Sequence, residues 1–186
     1  MCQSGDQKIA IDVDALETPP PLPKPAIWID SGIIKLTNDN HGILESPTEW
    51  LNSDIINAAQ TILSEQFGLP GLQNSELGSV FAFSIEANEF VQILHGAGHW
   101  LTISTIGTKH PNVFVYDSLY SSPPAVVKQQ IAALLATPKS EIQLQYVDVQ
   151  MQSGANDCGL FAIAFATALC LGELPGKYIF EQRAMR

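Results

Sequence analysis

The segment QSGANDCGLFAI, Gln152 to Ile163, sets a lone thiol beside a glycine at the start of an apolar run. Cys158 is one of three cysteines, with Cys2 and Cys170; the number is odd and no two stand at C-x-x-C spacing. Taken alone, such a cysteine also fits a small core side chain. Its neighbours favour chemistry. A helix opening at Cys158 turns unpaired amides and a partial positive charge toward the sulfur, which favours a thiolate and offers a backbone donor to an oxyanion. Gly154 and Gly159 let a ligand come close to the backbone, and Gln152 can aim a side-chain amide at the same developing charge. A thiolate nucleophile needs a base and a group to orient that base. His99 and Asp117 stand 18 positions apart, at the entry of one strand-like run and the exit of the next, with a turn expected over Gly107 to Pro111. Antiparallel pairing of the two runs brings imidazole and carboxylate side by side.

The positioning elements follow from periodicity and breakers. TPPPLPKP, ending at Pro25, predicts an extended, disordered leader over residues 1–25. IWIDSGIIKL reads as a strand with a bend at Gly32, and Asn38 to Asn40 as a turn. Ser46 and Pro47 predict the start of an amphipathic helix through EWLNSDIINAAQTILSEQF, ended by Gly68. Phe90 to Leu94, Trp100 to Ile106 and Asn112 to Ser118 read as three strands. Pro123 and Pro124 open a second helix, stopped by Pro138, and Ile142 to Val149 is a fourth strand. Asp157 is the expected N-cap of a final apolar helix. The order predicts an α+β domain over residues 26–186 with a mostly sequential sheet and a buried helix at its end.

Length and composition narrow the possibilities. At 186 residues, 46% hydrophobic and 15% charged, the chain has the makings of one folded domain. A net charge of −10 argues against nucleic acid as a partner. The apolar run Leu160 to Leu171 falls short of the roughly 20 residues of a membrane span. His41, His95, His99 and His110 form no metal-ligand spacing, and the chemistry above needs no cofactor. With no signal segment and an odd cysteine count, an intracellular protein is expected.

Four segments together resemble the Ulp1/SENP-type cysteine peptidases that process ubiquitin-like proteins. GHWLTIST around His99, VFVYDSLY around Asp117 and QSGANDCGLFAI are similar to that family's His, Asp and Gln…Cys boxes, in its order. EWLNSDIIN, Glu49 to Asn57, is similar to its first-helix motif, so the likeness spans roughly residues 42–171. The resemblance implies a papain-like or adenain-like fold, with a central mixed or antiparallel sheet and the nucleophile at the N-terminus of a buried helix. It implies cleavage after the C-terminal glycine of SUMO, NEDD8 or ubiquitin by a monomer in nucleus or cytoplasm. Cys158 would be the nucleophile, His99 its base, Asp117 the residue that fixes the ring and Gln152 the oxyanion donor. Trp50 and Trp100 match the two tryptophans that narrow the family's channel for a Gly-Gly tail; flat aromatic walls admit glycine and reject a branched side chain.

The family's acidic residue after WLN falls on Ser53 here, which makes the next residue, Asp54, the candidate for that contact. Relatives also continue into a last helix beyond GKYIFEQRAMR, so the domain is expected to lack it. SUMO presents an acidic face, and a chain of net charge −10 would meet it with unfavourable long-range steering. Bacterial effector acetyltransferases share the order of His, acid and Cys, and a non-catalytic module could retain the fold to bind ubiquitin-like proteins. The WLN helix and the intact set of four residues favour the peptidase.

Overall fold

The structure, a computed structural model, describes residues 24–186; the leader read from the sequence lies, up to residue 23, outside the described residues. The chain then departs from the expected bent strand. β1 (Ile27–Asp30) and β2 (Lys35–Thr37) form a separate antiparallel ribbon. Gly32 supplies the left-handed residue of its turn at φ 86°, while Asp30 and Ser31 side chains accept from the N–H groups of Gly32 and Ile34.

The turn expected at Asn38 to Asn40 is the first turn of a helix, α1 (Asn38–Glu45). Thr37 Oγ1 accepts from Asn40 N while Asn40 Oδ1 accepts from Thr37 N at 2.7 Å, a reciprocal capping box. Asparagine here does what glutamate or glutamine usually does, so a helix start reads as turn chemistry. The long helix likewise starts later than Ser46: α2 (Ser53–Phe67) is capped by Asn52, whose Oδ1 accepts from Ile55 N at 3.2 Å. Gly68, at φ 65°, ends it in the left-handed conformation, as the sequence predicts. The late start leaves Trp50 and Leu51 on an extended approach to the helix, with Leu51 buried and Trp50 exposed.

The central sheet runs β3 (Val91–Gly96), β4 (His99–Ser104), β5 (Asn112–Tyr116), β6 (Gln143–Tyr146) in spatial order. The first three are antiparallel. β6 lies parallel to β5, reached by a crossover through α3 (Ala125–Leu135), so the sheet is mixed. Period-two alternation divides the core into two layers. Leu94, Leu101, Ile103, Val113 and Val115 pack with Val127, Ile131 and Leu134 of α3. On the other side Val91, Ile93, Trp100 and Tyr116 pack with Ile56 of α2 and with Phe161 and Phe165 of α4 (Cys158–Cys170). α4 is apolar nearly all round because it is buried between sheet and α2. Among the described residues no helix is long and apolar enough to cross a membrane.

Candidate active site

The two-residue loop between β3 and β4, Ala97 and Gly98, takes φ 54° and 73°, the double positive φ of a type I′ hairpin. That tight turn makes His99 the first residue of β4. The β4/β5 register pairs Thr102 with Tyr116, so Asp117 projects past the end of β5 and His99 lies one diagonal step away on the same face. The diagonal is closed by a bond of 2.8 Å between His99 Nε2 and Asp117 Oδ1, both residues being buried. Asp117 Oδ1 also accepts from the backbone N–H groups of Leu119 at 2.8 Å and Tyr120 at 3.0 Å, and the Tyr120 ring stands edge-on to His99 with centroids 4.9 Å apart. The carboxylate is thus fixed by the turn that follows it, and it fixes the imidazole.

With Nε2 facing a carboxylate, Nδ1 is the nitrogen left for the thiol. Burial pulls the His99 pKa down, but hydrogen bonds to Asp117 and Cys158 and the charges of both outweigh it and raise it to about 9. The ring is therefore an imidazolium at neutral pH. Nδ1 is buried and has no hydrogen-bond partner among the described residues.

Cys158 is the first residue of α4 and is 1% exposed. Its helix end sits directly on the approach to α2: a Cβ on Gly159 would lie 2.9 Å from Leu51 Cβ. Gly159→Ala should therefore push Leu51 or the helix end aside, costing about 1–3 kcal/mol and lowering the thermal midpoint by several degrees. A midpoint equal to that of the unsubstituted chain in a calorimetric scan would show that the close approach is not needed.

Asp157 stands at the cap position but makes no side-chain cap bond, contrary to the sequence reading. Its carboxylate is drawn outward instead. Arg186 donates to Oδ1 through Nε at 3.1 Å and Nη2 at 2.8 Å, and Gln182 donates to Oδ2 at 2.6 Å. The negative charge next to Cys158 is thereby paired. Arg186 also donates to the carbonyls of Ile43 and Glu49, tying the end of α1 and the loop after it to the start of α4.

Gln152 is held by Ser118 at two points. Its backbone N–H donates to Ser118 O at 2.9 Å, and its Oε1 accepts from Ser118 Oγ at 2.8 Å. Because the oxygen is engaged, the amide orientation is set: Nε2 donates one hydrogen to Gly154 O at 2.9 Å and has a second for a ligand. Asp117 orients the His99 ring and the next residue orients the Gln152 amide. Ser118 was not singled out in the sequence, where nothing distinguishes it from Ser121 or Ser122.

Trp100, next to His99, is buried and donates from Nε1 to Leu51 O at 2.9 Å. Trp50 is 47% exposed. Its Nε1 donates to Asn156 Oδ1 at 2.9 Å, and its ring lies where a Cβ on Gly98 would come within 3.3 Å. Trp50 thus spans from the β3/β4 loop to the segment that leads into Cys158, and with Trp100 it lines a cavity of about 710 Å³. Asp54 is elsewhere. Its Oδ2 accepts from Asn40 Nδ2 at 3.3 Å, joining α1 to α2, and it does not line that cavity.

No protein-family model matches the chain, and no curated protein matches it in sequence. Solved structures do match its fold. The C-terminal Ulp1 protease domain in complex with Smt3, the yeast ortholog of SUMO, superposes with a TM-score of 0.62 at 15% identity, over 88% of this chain and 84% of that one. The catalytic domain of the Chaetomium thermophilum Ulp1-like SUMO protease gives 0.54 at 20% identity, over 81% and 74%. The Xanthomonas campestris effector XopD bound to ubiquitin gives 0.51 at 13% identity, over 75% and 89%. With its mixed sheet and its buried helix opening at Cys158, the chain has the α+β, papain-like fold of the Ulp1-type cysteine proteases.

Proposed function

We propose that the protein is a cysteine peptidase that cleaves after the C-terminal glycine of a ubiquitin-like modifier, in precursors or conjugates. The observation that carries this reading is the buried His99–Asp117 bond of 2.8 Å, on a ring whose titration is also raised by the Cys158 thiol. The thiolate of Cys158 attacks the glycyl carbonyl carbon. The oxyanion is held by the free N–H of Gln152 and the backbone N–H of Cys158. His99 gives its Nδ1 proton to the departing amine, then takes one from the water that hydrolyses the thioester. The tryptophan pair suits a Gly-Gly tail. An acyltransferase could use the same three residues; the tryptophan pair beside them, Trp50 and Trp100, is what favours the peptidase.

The choice of modifier follows charge. One structural neighbour is a complex with a SUMO ortholog and another with ubiquitin, so the neighbours do not choose. A net charge of −10 favours the less acidic modifiers, ubiquitin or NEDD8, and the reading places the enzyme in nucleus or cytoplasm. The test is a panel of propargylamide probes built on ubiquitin, NEDD8 and SUMO. An adduct on Cys158 with at least one of them, absent from Cys158→Ala, is expected; no adduct with any, from a folded chain with a titratable thiol, overturns the reading.

A further inference from the structure

Trp50 is the exposed member of the tryptophan pair, and an exposed side chain is ordinarily free to change rotamer. This ring is pinned at both ends. Its six-membered edge lies over Gly98, where an added Cβ would meet Trp50 Cζ3 at 3.3 Å. At the opposite end Nε1 donates to Asn156 Oδ1 at 2.9 Å. Gly98 immediately precedes His99 and Asn156 stands two positions before Cys158, so the ring bridges the two segments that carry the imidazole and the thiol.

Asn156 can hold the indole because its own amide is fixed. Nδ2 donates to Thr48 O, two residues before Trp50, which leaves Oδ1 to accept from the indole; a flipped amide would set oxygen against oxygen and N–H against N–H. The backbone on either side of Trp50 is anchored separately. Arg186 Nη2, paired with Asp157, donates to Glu49 O at 2.6 Å, and Trp100 Nε1 donates to Leu51 O at 2.9 Å. The second of these bonds ties the main chain beside one tryptophan to the ring of the other. Removing the Asn156 side chain therefore frees the Trp50 ring while Glu49 and Leu51 stay held.

We infer that Asn156 is a positioning residue for substrate selection: it holds the Trp50 ring down on Gly98, so that the passage between the two tryptophans admits glycine and turns away a residue with a side chain. The inference rests on the peptidase reading, in which the tail of the modifier runs between the rings to Cys158. A ring released from Asn156 can rotate about its side-chain torsions toward solvent, and a widening of about one methyl group is all that alanine needs. Asn156 does not itself line the cavity beside Trp50 and Trp100. It acts through Trp50, so discrimination between tails should change more than the chemical step.

The probes are ubiquitin, NEDD8 and SUMO, each ending in Gly-Gly, Ala-Gly or Gly-Ala, titrated calorimetrically against the Cys158→Ala chain. For at least one modifier, alanine at one of the two places should bind about tenfold more weakly than glycine, and adding Asn156→Ala should bring the two to within about twofold. Trp50→Phe keeps a ring but has no N–H to give Asn156; it should narrow the ratio as well, and Asn156→Ala combined with it should narrow it no further. A loss of stability alone would weaken every tail alike and leave the ratio where it was. A ratio that survives Asn156→Ala, alanine bound as well as glycine from the outset, or no binding by any modifier overturns the inference. Turnover of the matching aminocoumarin amides by the chain with Cys158 intact reports on the peptidase separately: cleavage with a Gly/Ala ratio indifferent to Asn156 sinks only the inference, and Asn156-dependent selectivity in binding with no cleavage supports it while sinking the peptidase.

Discussion

Replacing Asp117 with alanine is expected to lower kcat/KM for a glycine-ended substrate by roughly 10³–10⁴-fold, while asparagine, which can keep an oxygen at the Oδ1 position, is expected to cost less near neutral pH. The asymmetry follows from which oxygen does the holding. Oδ1 alone accepts from His99 Nε2, Leu119 N and Tyr120 N, whereas Oδ2 is buried without a partner among the described residues. An asparagine that puts its carbonyl oxygen at the Oδ1 position keeps all three bonds. Its amide then takes the buried, unpartnered Oδ2 position, and the Asp117 charge that, with burial, pushes up the pKa of Tyr146 is removed. Orientation survives and only the charge is lost. Alanine loses both. A side chain as damaging as asparagine as it is as alanine, at every pH, would mean that charge and not orientation is what His99 needs.

The charge still has a signature in the pH profile. His99 titrates near 6.5 when unperturbed and near 9 in the folded chain, so the native state binds that proton more tightly than the unfolded state. The resulting stabilisation is complete below pH 6.5 and is lost as pH rises through about 9. The alkaline limb of kcat/KM, where the imidazolium that protonates the leaving amine disappears, belongs at the same upper value. Asp117→Asn removes the Asp117 charge and leaves the Cys158 contribution, so its alkaline limb and its loss of stability should both begin at lower pH. Profiles between pH 6 and 10.5, with thermal midpoints at the two ends, measure both.

The sequential central strands, the helix after Pro124 and the buried helix opening at Cys158 were legible because each rests on local signals: alternation, prolines at a helix start and a continuous apolar run; the parallel pairing of β6 with β5 was not read. The His–Asp meeting was legible for the same reason, since one hairpin register decides it, although the true relation is a diagonal and not a direct pair. Two helix starts were misread. Asn40 completes the capping box of α1 with Thr37 but looks in sequence like a turn residue, and Ser46-Pro47 imitates the cap-and-proline start of the helix that Asn52 in fact caps. The α2 start then slipped, which made Trp50 look like a residue of a first turn when it spans a loop and the nucleophile segment. What no local pattern could show is long-range polar pairing: Arg186 reaches Asp157 and also Ile43 O, 143 positions away, and Gln152 takes its orientation from Ser118.

Gln152→Ala should lower kcat by roughly 10²–10³-fold with little change in KM, since a donor aimed at the oxyanion acts only once charge has developed there. Gln152→Glu sharpens the point. A glutamate keeps an oxygen for Ser118 Oγ but has no N–H to give, and it brings a negative charge toward a developing one, so it should be no better than alanine and is expected to be worse. Ser118→Ala leaves the amide in place but frees it to turn its oxygen inward, for a loss of about tenfold in kcat. Because Ser118 works through Gln152, the double substitution should be no worse than Gln152→Ala alone. Losses that multiply instead would place the effect of Ser118 elsewhere, through the backbone it shares with Asp117, and the shape of the pH profile would then shift along with the rate.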